Sequence, residues 1–126
     1  SLDGNTISLS DFKGKYVVLD FWASWCPDCI RDIPEIRSLY NDFSDKGVVF
    51  LGVSFDTDKT RWQTAVEKYD IKYPQCSELK KMREAEVAKL YGVKWIPSLV
   101  VVAPDGKVAL STVISQKVRA LLSERI

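Results

Sequence analysis

The sequence predicts an α/β chain built on a central mixed β-sheet with helices on both faces. Three observations carry this. Short β-branched runs alternate with segments of helical period. The runs are apolar on both faces, as buried strands covered from two sides must be. The last two strand-like runs flank a tight-turn signal, Pro104-Asp105-Gly106, which marks an antiparallel hairpin within an otherwise alternating order.

The elements follow in chain order. Tyr16 to Trp22 is β-branched and aromatic, the profile of a central strand. Ile30, Ile33, Ile36, Tyr40 and Phe43 recur at three-to-four spacing and form an amphipathic helix, in which Pro34 predicts a kink. Gly47 breaks into a second buried strand, Val48 to Val53. Trp62, Ala65, Val66 and Tyr69 mark a surface helix. Tyr73-Pro74-Gln75 reads as a loop or short strand, and a charged stretch leads to a short helix bearing Val87, Ala88, Leu90 and Tyr91, closed by Gly92. Leu99 to Val102 is the third strand, and Lys107 to Val113 returns as its hairpin partner. Val118, Leu121 and Leu122 mark the final helix.

Composition narrows the function. The length of 126 residues fits one domain over 1–126, and 46% apolar with 28% charged residues is a globular profile. Eighteen basic residues against 17 acidic ones give a net charge of +1, so no bulk field recruits nucleic acid or an anionic membrane. No signal peptide is seen, and the longest uncharged apolar stretches, such as Ser98 to Pro104, are strand-sized. With no histidine there is no Ser-His or Cys-His pair and no mixed Cys/His zinc finger. Three cysteines leave one over from any pairing.

The chemistry concentrates in Cys26-Pro27-Asp28-Cys29, placed between a buried strand and a helix. Two thiols at this spacing can close a small disulfide ring. The first lies where unpaired backbone N–H groups and the helix dipole favour an anion, which lowers a thiol from about 8.5 towards neutrality. Metal binding would need a second C-x-x-C or a histidine pair, and the chain has neither. No metal, flavin or nucleotide is expected. The spacing supplies one reactive and one shielded cysteine, Cys26 as nucleophile and Cys29 as the thiol that resolves a mixed disulfide. Asp28, an acid between them, disfavours the thiolate, so the couple is expected near the reducing end of the range (about −270 mV) rather than the oxidising end (about −120 mV). Cys76 reads as a small buried hydrophobe, with a regulatory thiol as the alternative. Lys80-Lys81-Met82-Arg83-Glu84 reads as a solvated face.

Phe21-Trp22-Ala23-Ser24-Trp25-Cys26-Pro27-Asp28-Cys29 resembles the active-site stretch of the thioredoxin superfamily. Pro34, five residues after Cys29, matches the family's helix-kinking proline, and Asp20, six before Cys26, its buried acid. Ile96-Pro97 matches the cis-proline loop that faces the cysteine pair. The similarity runs from about Leu9 to the end. About forty residues separate Ser54 from Ile96, so a helix-containing insertion at about 55–92 is expected between the second core strand and the cis-proline loop. That insertion and the opening Leu9-Ser10-Asp11-Phe12-Lys13-Gly14-Lys15 resemble TlpA/ResA-like thiol-disulfide oxidoreductases. Asp32 aligns there with a functionally important glutamate, one methylene longer.

The resemblance implies a thioredoxin-like fold and a protein thiol-disulfide oxidoreductase. Asp20 in its apolar setting would carry a raised pKa and accept the Cys29 proton, or else pair with Lys15 or Lys46. Trp25, Pro27, Asp28, Trp95, Ile96 and Pro97 would line the substrate side, with the Ile96 backbone pairing an extended chain. Trp25 would shield the pair, whereas Trp22 belongs to the core. Trp95 either covers the cysteines and narrows the groove or fills a gap. The implied partners are a disulfide-containing protein and an upstream thiol donor, membrane-bound or free, with no nucleic acid and a monomeric chain. The implied location is extracytoplasmic in bacteria, periplasmic or membrane-tethered, with the cytoplasm as the alternative. Tryparedoxin- or nucleoredoxin-like and peroxiredoxin-like peroxide-linked reductases are rival readings, as is a redox-inert binding module of the same fold.

Overall fold

Val17–Trp22 is buried along its whole length and forms β1, the middle strand of five. The computed structural model describes residues 12–80 and 82–126. The other strands are β2 (Val49–Ser54), β3 (Gln75–Ser77), β4 (Ser98–Val102) and β5 (Val108–Thr112), in the order β3-β2-β1-β4-β5. β1 runs parallel to β2 and β2 to β3, while β4 is antiparallel to both β1 and β5. This is the mixed sheet the sequence predicts. Of the two readings of Tyr73-Pro74-Gln75, the strand begins at Gln75 and forms the parallel edge.

Among the described residues four α-helices cover the sheet: α1 (Pro27–Phe43), α2 (Lys59–Lys68), α3 (Glu86–Tyr91) and α4 (Ser115–Arg125). α1 continues through Pro34, which has no N–H to give to the Ile30 carbonyl and so removes one bond from the ladder. Ile36, Leu39 and Phe43 of α1 and Val118 and Leu122 of α4 pack on Val18, Phe50, Tyr73, Leu99 and Val101. The opposite face carries Val17, Leu19, Phe21, Leu51, Val53, Val100 and Val102, closed by Ala85 and Ala88. Asp58 caps α2 by accepting from the Thr60 and Arg61 N–H groups (2.9 and 3.3 Å). Gly92 ends α3 at φ 66°, a left-handed position that glycine takes without steric cost.

Gly52 is the informative glycine. It pairs with Asp20 on one side and Gln75 on the other, and aligned partners share a sheet face. A Cβ at Gly52 would lie 2.2 Å from Gln75 Nε2. The bare position lets the Gln75 side chain lie across β2 and reach β1. There Gln75 Oε1 accepts from the Trp22 indole N–H at 2.9 Å and from that of Trp62 at 3.5 Å.

Of the opening Leu9–Lys15 motif, residues 9–11 lie outside the described residues, and Phe12 packs against the second core face. In the charged run, Lys80 and Glu84 are exposed and Met82 packs partly buried on that same face; Lys81 and the Arg83 side chain lie outside the described residues.

The crowding at Gly52 makes a prediction. Gly52→Ala displaces the Gln75 amide and strands two buried indole donors, so it should destabilise the protein by about 1–3 kcal/mol. Urea unfolding followed by tryptophan fluorescence measures this, and an unchanged midpoint would contradict the packing described.

Candidate active site

The motif Cys-Pro-Asp-Cys is a helix start. Cys26 is the N-cap of α1, Pro27 supplies a preset φ in the first turn, and the Cys29 N–H donates to Cys26 Sγ at 3.2 Å. The sulfur therefore occupies the place of an N-capping oxygen, among backbone donors that stabilise a thiolate. The two cysteines stand at disulfide distance, with Cα atoms 5.3 Å apart.

Both cysteines are buried, Cys26 at 6% and Cys29 at 4% exposure. The expected contrast between one accessible and one shielded thiol is therefore absent in this oxidised form. The reason is the cluster around them: Trp22, Ala23, Trp62 and Ala65 are buried with the pair, and Ile96 packs against it. Shielding thus falls to Trp22 and Trp62, held by Gln75, and not to Trp25, which is 59% exposed. Trp22, expected only in the core, does both.

The Ile96-Pro97 peptide is cis, as the resemblance implies, and Ile96 brings that loop against the cysteine cluster. Among the described residues no hydrogen bond engages the Ile96 peptide, which leaves it available to an extended chain. Trp95 is 62% exposed, so it fills no gap; its carbonyl accepts from the Ser98 hydroxyl at 2.7 Å. Trp25, Pro27 and Asp28 on one segment and Trp95 on the other are exposed.

Asp20 is buried beneath this site, on the same face of β1 as Trp22. Neither Lys15 nor Lys46 pairs with it; the partner is the Tyr73 hydroxyl, which donates to Asp20 Oδ2 at 2.8 Å. Burial pushes the Asp20 carboxyl up to about 6, against the lowering pull of that hydrogen bond and with a further push from Asp32. Asp32, half-buried in the first turns of α1, is itself raised, chiefly by desolvation. Asp28 instead bonds Arg31 at 2.7 Å on the surface. Asp20 and Asp32 remain without a salt bridge among the described residues.

Three contributors escape motif reading. Asp56, fully buried after β2, accepts from the Ser24 N–H (3.1 Å), the Ser24 hydroxyl (2.5 Å) and the Ser54 hydroxyl (2.5 Å), and so fixes the loop leading into Cys26. Tyr73 and Gln75 are the others, and a glycine inside a β-branched strand was the available signal for their approach. Cys76 is free, half-buried, and packs on the face opposite Trp22; burial raises its thiol. The sheet lies between it and the pair.

A thioredoxin-like sheet with a cysteine pair capping α1 and a cis-proline beside it defines a thioredoxin-fold protein with a thiol-disulfide site. The AhpC/TSA family model matches residues 1–111, and the chain belongs to that family. Thiol-disulfide oxidoreductase ResA of Bacillus thuringiensis subsp. konkukian is 36% identical over 107 residues, covering 85% of this chain and 60% of the relative. The chain thus spans less than two thirds of the length of that relative. A thiol-disulfide oxidoreductase from Bacteroides fragilis superposes with a TM-score of 0.92 at 27% identity, over 99% of this chain and 93% of that one. The thioredoxin domain of a thiol-disulfide oxidoreductase from Bacteroides vulgatus gives 0.88 at 33% identity, over 99% and 89%.

The buried acid makes the oxidised fold pH-sensitive. Its folded-state pKa lies above the ordinary 3.8, so the neutral acid's stabilisation is whole below about pH 4 and is lost as pH rises through about 6. Asp20→Asn, uncharged throughout, should be more stable than the unaltered protein by about 3 kcal/mol at pH 8, with the gap closing below pH 4. Denaturant unfolding across pH measures it; a gap independent of pH would contradict the assignment.

Proposed function

We propose that the chain is a protein thiol-disulfide oxidoreductase that reduces disulfides in partner proteins through Cys26 and Cys29. The observation that carries this reading is the position of Cys26 as the N-cap of α1, with the Cys29 N–H on its sulfur and a cis-proline loop packed alongside.

In the reduced protein the Cys26 thiolate attacks one sulfur of the partner disulfide. The partner's S–S bond breaks, its first sulfur leaves as a thiolate and takes a proton from solvent, and a mixed disulfide remains. Cys29 then gives its proton to the Asp20 carboxylate, directly or through one water. Its sulfur attacks Cys26 Sγ, the mixed disulfide breaks, and the second partner sulfur departs to receive the proton from Asp20. Two thiols of the protein become one disulfide, and one partner disulfide becomes two thiols. An acid with a pKa of about 6 suits this task, being ionised at neutral pH and still basic enough to take the proton.

Exposed Trp25 and Trp95, with Pro27, Asp28 and the unpaired Ile96 peptide, form the surface on which an extended partner segment docks. Buried Asp20 and half-buried Asp32 join Asp28 in disfavouring the thiolate, which keeps the couple on the reducing side. A cycling reductase needs an upstream thiol donor, and the ResA-like resemblance supports an extracytoplasmic setting for both reactions. No helix among the described residues is long and apolar enough to cross a membrane.

Insulin-disulfide reduction should be abolished by Cys26→Ala, and Cys29→Ser should accumulate mixed disulfides that name the partner. Hydrogen-peroxide consumption surviving Cys29→Ser would favour the peroxide-linked reading instead. Equilibration with dithiothreitol should give a potential below roughly −180 mV; a higher value would sink the reducing assignment.

A further inference from the structure

Tyr73 takes no part in the thiol exchange, yet it is 4% exposed and places its hydroxyl on the buried acid. Its ring is set by Tyr40 and Phe50, with centroids 5.7 and 6.3 Å away. It lies two residues before Gln75, which aligns with Gly52 and Asp20 across the sheet. Tyr73 and Gln75 come from one side of β2 and Asp20 from the other, and the Tyr73 ring packs against Phe50 of β2. Tyr73 thus reaches past a whole strand to bond Asp20 Oδ2. Oδ1 carries no hydrogen bond among the described residues.

We propose that Tyr73 is the positioning residue for the buried acid: its hydroxyl holds Asp20 Oδ2, so that Oδ1 is the oxygen that exchanges the Cys29 proton. The inference rests on the reading of Asp20 as proton acceptor and adds the group that orients it. A donor on the carboxyl favours its ionised form, so Tyr73 also sets the pH above which Asp20 can act. The charged groups acting on this pair come from α1: Asp32 on Asp20, and Arg37 on Tyr73. Arg37 donates through Nη2 to the Tyr69 carbonyl and its Nε is buried without a partner. β2 presents Gly52 and Phe50, β4 presents Leu99, and α4 presents Val118 and Leu122, none of which titrates.

The test separates the two thiol steps with the aromatic disulfide dithionitrobenzoate. Attack by Cys26 releases one thionitrobenzoate, and attack by Cys29 on the resulting mixed disulfide releases the second. The second release should rise with pH around the Asp20 midpoint in the unaltered protein. Tyr73→Phe keeps the ring and loses the donor, so that midpoint should move up by about one pH unit, with the first release unchanged. A ring-fluorinated tyrosine at position 73, a stronger donor in the same volume, should move it down. In an Asp20→Asn background Tyr73→Phe should have no effect on the second release. If Asp20→Asn removes the titration and neither change at Tyr73 moves it, Tyr73 is only a packing residue and the proposal fails alone. If Asp20→Asn leaves the titration in place, the proton-acceptor reading fails and this proposal fails with it.

Discussion

A carboxylic acid buried without a cation among the described residues is the constraint around which this site is arranged. Removing a carboxylate from water is costly, and the protein meets that cost with one hydroxyl instead of a salt bridge. The result is an acid held near neutrality, not near 4. That hydroxyl comes from Tyr73, which bonds Asp20 from across β2, where Gly52 leaves a side-chain-free opening. Gln75 uses the same opening to bond the indoles of Trp22 and Trp62, which close over the cysteines. The segment between β2 and the cis-proline loop thus supplies the floor of the site as well as one of its walls.

Above that floor, two opposing influences act on Cys26. The start of α1 directs the Cys29 N–H at its sulfur and favours the thiolate, while ionised Asp20 and Asp32 would oppose it by like charge. Asp28, between the two cysteines, bonds Arg31 on the surface. Asp56 acts on geometry, because three donors from Ser24 and Ser54 converge on it and fix the approach to the N-cap. Both sulfurs are buried in the oxidised form, and the exposed groups at the rim of the site are Trp25 and Trp95.

How much of this was legible depends on sequence distance. The strands, the helices and the cysteine pair are written in local periodicity and in one short motif, and they appear where the pattern puts them. The cis-proline came from resemblance, while the apolar setting Leu19-Asp20-Phe21 already marked Asp20 as an acid in a buried strand and resemblance gave it its role. The partners of that acid were not readable, because a bond between Asp20 and Tyr73 spans 53 residues and depends on register across two strand pairs. The tryptophans went the same way. Trp22 and Trp25 are near neighbours in one motif, and only the sheet face decides that the first buries the cysteines while the second is exposed.

The central claim is that Asp20 is an acid poised near neutral pH under a thiol-disulfide pair. The most direct measurement is a carbon-13 NMR titration of the aspartate carboxyl carbons in the oxidised protein, with Asp20 assigned by its loss in Asp20→Asn. The account predicts a midpoint of about 6 for Asp20. A midpoint near the ordinary 3.8 would contradict it.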